Sequence, residues 1–262
     1  MTIPFTKAHG ARNDFLLTWR HSLPENIDMA GTARAICDRY TGAGADGWMI
    51  LEPLDTANAA IELWNSDGSR SEISGNGTRC AAAFLVDAGL AGDKIVIATG
   101  AGPKHLRLLE RHGLHFEFEM NMGAAVIEEL HATLEGRDCT ILNVGNPQCA
   151  FFVNDFNFDW VGLGARIERH PRFPNRTNVS FIKKLDEHTL EVRFFERGAG
   201  ETMSSGTGST GAAAAAFARG LVSSPVKIQT PAGPLELRWQ GETIYLTGPA
   251  ELVVRGEFLV QT

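Results

Sequence analysis

Apolar and polar residues alternate in two stretches, AIELWN (60–65) and TLEVRFFER (189–197), a period of two that predicts half-buried strands. Each is followed by a glycine-rich turn and then by a run of small residues, CAAAF and GAAAAAFA, which predicts a helix closed by Gly89 in the first case and Gly220 in the second. A further strand comes next in each (KIVIAT, VKIQT), then a turn at Ala-Gly-Pro and another strand. A helix with small side chains on most faces lets backbone approach it all round, so both helices are expected to be central and wrapped by sheet. The two stretches are copies. Residues 74–108 align with 205–239 without a gap at an offset of 131, and 15 of the 35 positions are identical, from Ser74/Ser205 to Arg107/Arg238. The expected fold class is therefore α+β, with two pseudo-symmetric lobes, each holding an alanine-rich helix inside mixed or antiparallel curved sheet and related by an approximate two-fold. The first lobe takes residues 1–120, with the last strand (251–262) free to return to it; the second takes 121–250.

Composition narrows the function. The chain has 262 residues, 44% hydrophobic and 21% charged, enough to bury a sizeable core. Its net charge of −7 and the lack of any Lys/Arg-rich run argue against a nucleic-acid partner. No long apolar stretch suggests a membrane span, and the first residues do not form a basic-then-apolar leader, so a soluble cytoplasmic protein is expected. Cys37, Cys80, Cys139 and Cys149 are far apart in sequence without C-x-x-C spacing, which predicts buried reduced thiols and neither a disulfide framework nor a metal site.

The repeat also carries candidate chemistry. A glycine-rich turn entering a helix offers unpaired N–H groups and the positive end of the helix dipole, a combination that binds anions. Ser74 and Ser205 stand at matched positions before these turns. Taken locally, each is a helix N-cap; taken together, the symmetry-matched hydroxyls could address both faces of one tetrahedral carbon.

At these residues the chain resembles the diaminopimelate epimerase family. Asn65-Ser66-Asp67-Gly68-Ser69 followed by Ser74-Gly75-Asn76-Gly77-Thr78-Arg79-Cys80 is similar to one family signature, and Glu196-Arg197-Gly198-Ala199-Gly200-Glu201-Thr202 leading to Ser205-Gly206-Thr207-Gly208 to the other. HGARNDF, GAGADG, VGNPQCAFFV and RTNVSF add to the likeness, which runs from about Phe5 to Leu221. The resemblance implies a cofactor-free isomerase in which two thiols flank the substrate α-carbon, one removing a proton and the other delivering one. It further implies that Gly75-Asn76 and Gly206-Thr207 hold a carboxylate, and that Asn13, Asn65, Asn146, Asn178, Glu196 and Arg197 hold the far amino-acid end. The partner so implied is a small-molecule amino acid, with a homodimer left open as the assembly.

The departures from that pattern fall on the catalytic positions. Ser74 and Ser205 replace both cysteines, and Gln148 replaces a histidine that assists one thiol. A thiol ionises near pH 8.5, and lower at a helix N-terminus, whereas an alcohol resembles water at about 15.7. That gap costs on the order of 10 kcal/mol before the alkoxide's greater basicity returns part of it. An adjacent base could activate serine, and Glu196 is the candidate. Cys80 lies on another helix face and is a poor substitute, while His9 is expected to be structural. Three functions follow: an isomerase of LL- to meso-diaminopimelate type, either running weakly through serines or carrying introduced Cys-to-Ser changes, a non-catalytic amino-acid-binding paralogue, and a dehydratase-type variant of the same fold.

Overall fold

A computed structural model describes residues 1–55 and 57–260; the end of the expected last strand, residues 261–262, lies outside them. The chain divides into two compact units, one of Met1–Met120 together with the segment from Gly248, the other of Asn121–Thr247.

In the first unit, strands Thr2–Gly10 and Asn13–Trp19 form an antiparallel hairpin. Helix α1 (Met29–Cys37) then carries the chain to Gly47–Asp55, which lies parallel to Asn13–Trp19 and antiparallel to Asn58–Asn65. Helix α2 (Gly75–Asp87) makes a second crossover to Lys94–Thr99, parallel to Asn58–Asn65, and an antiparallel hairpin with Gly102–His112 follows.

The second unit repeats this order. Arg137–Asn143 and Pro147–Phe152 are the hairpin, helix α3 (Trp160–Glu168) the first crossover to Asn178–Lys184, and Thr189–Glu196 the antiparallel neighbour. Helix α4 (Gly206–Ala218) then crosses to Val226–Thr230, parallel to Thr189–Glu196, and Gly233–Gln240 completes the hairpin. Strand Thr243–Leu259 pairs first with Gly233–Gln240 in this unit and later with Thr2–Gly10 in the other. The structural duplication is thus much longer than the 35 aligned positions, because pairing and burial persist where side-chain identity has drifted.

Each unit has two apolar layers. One lies beneath its small crossover helix: Leu16, Ile36, Trp48 and Ile50 with α1, and Cys149, Phe151, Leu163, Ile167 and Phe181 with α3. The other surrounds its alanine-rich helix. From Gly75 to Val86 every residue of α2 is buried, as are Ala212–Ala216 of α4. The small side chains are what permit this, since any larger group there would displace sheet at a cost of roughly 1–3 kcal/mol. Both helices end at a residue in the left-handed region, Gly89 (φ 72) and Gly220 (φ 67), where glycine carries no Cβ penalty. Among the described residues no helix is long and apolar enough to cross a membrane.

Candidate active site

The two serines hold their helix mouths in the same way. Ser74 (φ −132, ψ 122) accepts a hydrogen bond from the Gly77 N–H at 3.1 Å, and Ser205 (φ −141, ψ 123) accepts from the Gly208 N–H at 3.0 Å. Capping satisfies one amide in each helix and leaves those of Gly75-Asn76 and Gly206-Thr207 without a partner inside the helix. The second glycine of each motif is closely packed, against the mobile end of a methionine in the first unit and against a phenylalanine ring in the second. A Cβ at Gly77 would stand 1.9 Å from the Met49 methyl, and one at Gly208 would stand 2.7 Å from a Phe194 ring carbon.

Beyond the caps the units diverge. In the second, the Ser205 hydroxyl, 3% exposed, donates to Glu196 Oε2 at 2.7 Å, and the Thr202 hydroxyl donates to Oε1, also at 2.7 Å. Loss of water raises the Glu196 pKa, and the two hydroxyl donors only partly oppose that rise. Ser205 therefore has a carboxyl beside it that is a stronger base than an ordinary glutamate. Gln148 lies against α4 at Gly211, donates to Asn146 Oδ1 at 2.7 Å and leaves its own Oε1 buried without a partner among the described residues. Asn146 in turn donates to the Thr207 hydroxyl at 3.3 Å. Asn178, beside Gln148 on the parallel strand, donates to the Pro147 carbonyl and accepts from the Arg197 N–H at 3.0 Å, so its side chain is committed to holding protein. Arg197 is exposed, its guanidinium 3.3 Å from the Asn175 carbonyl.

In the first unit, Ser74 is half-buried, and no acceptor for its proton stands among the described residues. The position matched to Glu196 by strand order and by the offset of 131 is Asn65, whose amide is taken by the Ser69 hydroxyl in a tight turn. Asn76 donates to Asn13 Oδ1 at 3.3 Å, repeating the contact between Thr207 and Asn146. Behind Asn76 lies Arg79, fully buried, bonded to Asn76 Oδ1 at 2.6 Å and to the Pro249 carbonyl at 3.1 Å. Burial without a carboxylate partner brings its pKa down to about 10. Asn13 also donates to Asp46 at 2.7 Å, and Arg39 bridges Asp46 and Asp14. Burial raises the Asp14 pKa, but Arg39 and Lys7 outweigh it and hold the carboxyl below its ordinary value. This chain of partners sets the orientation of both amides.

Within each unit the structure links some of the residues singled out in the sequence, Asn13 with Asn76 in the first and Ser205 with Glu196, Asn146 with Thr207 and Gln148, and Asn178 with Arg197 in the second, while Asn65 bonds Ser69. It also adds Thr202, Arg79 and Asp46, to which the sequence alone assigned no role. All three lie inside the quoted motifs, but their roles depend on burial and strand register. His9 Nε2 pairs with Glu251 at 3.4 Å. Cys80 is fully buried, and its thiol is pushed up to about 12 by burial, far from a working nucleophile. All four cysteines are free and buried. Cys139 and Cys149, ten residues apart, lie on the two strands of one antiparallel hairpin, where their thiols interact. Among the described residues no group of three or more His, Cys, Asp or Glu side chains is placed to hold a metal ion.

The model of one protein family, described as diaminopimelate epimerase, matches residues 5–128 and 140–253. The chain belongs to the diaminopimelate epimerase family. A diaminopimelate epimerase of Pelotomaculum thermopropionicum is 37% identical over 280 residues, covering 98% of this chain and 99% of that one. One from Archaeoglobus fulgidus is 36% identical over 270 residues, covering 98% and 96%. Among solved structures, a hydroxyproline epimerase from Agrobacterium vitis, with bound trans-4-hydroxy-L-proline, superposes with a TM-score of 0.74 at 16% identity over 98% of this chain and 92% of that one. A PhzF-family phenazine biosynthesis protein of Bacillus anthracis does so with 0.74 at 16%, covering 99% and 100%. Both likenesses concern the fold alone.

Proposed function

We infer that the chain is a cofactor-independent isomerase acting at the α-carbon of a diamino dicarboxylic acid, the LL- to meso-diaminopimelate interconversion. The observation that carries this reading is the Ser205–Glu196 pair. A free serine is too weak an acid to serve as a proton-transfer group, but here the net acceptor is Glu196, with Ser205 relaying. The α-proton passes to Ser205 Oγ as the hydroxyl proton passes to Glu196 Oε2, and the electron pair of the broken C–H bond moves onto the α-carboxylate; a proton delivered to the opposite face from solvent re-forms the C–H bond with inversion, and Glu196 returns its proton to water. No alkoxide accumulates. The raised pKa of Glu196 narrows the distance to a thiolate base. Charge developing on the carboxylate is met by the amides of Gly206-Thr207 at the helix mouth that Ser205 caps. Arg197 holds the far carboxylate as a charged fork, with Asn146 of the same unit as a further polar contact. Such a substrate fits a cytoplasmic enzyme.

The bare hydroxyl of Ser74 favours a second reading, a protein that binds the amino acid without turning it over. One experiment separates the two. LL- and meso-diaminopimelate are incubated with the protein in heavy water, the α-proton signal is followed by NMR, and ligand-dependent stabilisation is measured in parallel. Exchange and stabilisation that are both lost in Arg197→Ala support the isomerase. Stabilisation without exchange supports the binding protein, and neither effect with any diamino acid rejects both.

A further inference from the structure

We propose that Glu168 is a positioning residue that sets the site's selectivity for a ligand with a second carboxylate, by holding the turn on which Arg197 is carried. The proposal rests on the role given above to Arg197. Glu168 is the last residue of α3 and is 2% exposed. A carboxylate so buried needs several donors, and it has them. Its Oε1 accepts from the Gly198 N–H at 3.2 Å and from Arg176 Nη1 at 3.2 Å, and its Oε2 accepts from Arg169 Nε at 3.1 Å. Its backbone carbonyl accepts from the Thr177 N–H.

These bonds converge on Arg197 from two directions. The turn Glu196–Ala199 closes with Ala199 N–H to the Glu196 carbonyl, and its two inner amides are taken by side chains, Arg197 N–H by Asn178 and Gly198 N–H by Glu168. The loop from Arg169 to Thr177, tied to Glu168 at both ends, presents the Asn175 carbonyl against which the Arg197 guanidinium rests. Glu168 therefore holds both the backbone of Arg197 and the loop that aims its side chain. Neither half of the arrangement needs Glu168 to touch ligand.

Two measurements on the full chain test this. Hydrogen exchange mass spectrometry of Glu168→Gln, which keeps the shape but loses both ion pairs, is expected to show faster exchange across residues 196–199 with the strand core unchanged. Calorimetric titration with meso-diaminopimelate and with lysine, which lacks the second carboxylate, is expected to show more than a tenfold loss for the first and none for the second. Arg176→Gln, at a partly exposed partner, should move both readouts the same way by less, and stands in if the first variant fails to fold. An equal loss for both ligands assigns Glu168 a merely structural part and overturns the proposal. So does an unchanged diaminopimelate affinity. Failure of the parent to bind any diamino acid overturns the functional reading and removes the ligand role of Glu168 with it, whatever the turn does.

Discussion

The two capping serines form a built-in controlled pair, and their removal should differ by the contribution of Glu196. Ser74→Ala deletes one N-cap bond, worth about 1 kcal/mol. Ser205→Ala deletes the matching bond and also takes one of two donors from Glu196. A hydrogen bond to an ionised carboxylate contributes about 1.5–3 kcal/mol, so the second variant should lose about 3 kcal/mol where Glu196 is charged and about 2 kcal/mol where it is protonated. The pH course follows from the direction of the shift. Folding raises the Glu196 pKa, so the folded state keeps a proton that the unfolded chain releases, and stability contributed by this group falls as pH climbs from the ordinary carboxylate range through the raised value. Ser205→Ala removes a donor that favours the charged form, so the pKa should rise further and the decline should reach higher pH. Urea unfolding at a series of pH values from 5 to 9, on the parent, both alanine variants and Glu196→Gln, measures this. In the Glu196→Gln background the excess of Ser205→Ala over Ser74→Ala should shrink to about 1 kcal/mol, that of a neutral acceptor, and lose its pH dependence. Equal losses from the two alanine variants at every pH would refute the reasoning, because the Ser205–Glu196 bond would then contribute nothing beyond the cap.

Ser74→Cys with Ser205→Cys should raise α-proton exchange well above the parent, since both positions then have an acid of accessible pKa at a helix N-terminus; each single change should do far less, and adding Gln148→His sets the ceiling. NMR exchange on one substrate panel decides it, and a parent that already matches the triple variant sinks the pKa argument. Gly208→Ala should destabilise by about 1–3 kcal/mol, because its methyl meets Phe194 and the Ser205 hydroxyl, whereas Gly92→Ala, where a Cβ meets nothing within 4 Å, should be near neutral in the same denaturation assay.

Much was legible in the sequence alone. Periodicity, glycine stops and small-residue runs identify the strands around α2 and α4 and the helices themselves, because capping and alternation act over a few residues. The ungapped offset announces the duplication, and the motifs bring the diaminopimelate epimerase family into view along with the two serines. Other features needed the tertiary structure. The offset of 131 already matches Asn65 to Glu196; that Glu196 meets the Ser205 hydroxyl while Asn65 turns to Ser69 depends on strands pairing in a particular register and on which side chains lose water. Glu168 and Arg79 were hidden for the same reason, since each bonds a segment distant along the chain, Gly198 in one case and Pro249 in the other, and the approach of Cys139 to Cys149 needed the register of the hairpin that carries them. Sequence sets the local elements and the chemistry available; which base meets which hydroxyl, and with what pKa, is decided by long-range packing and the exclusion of water it produces.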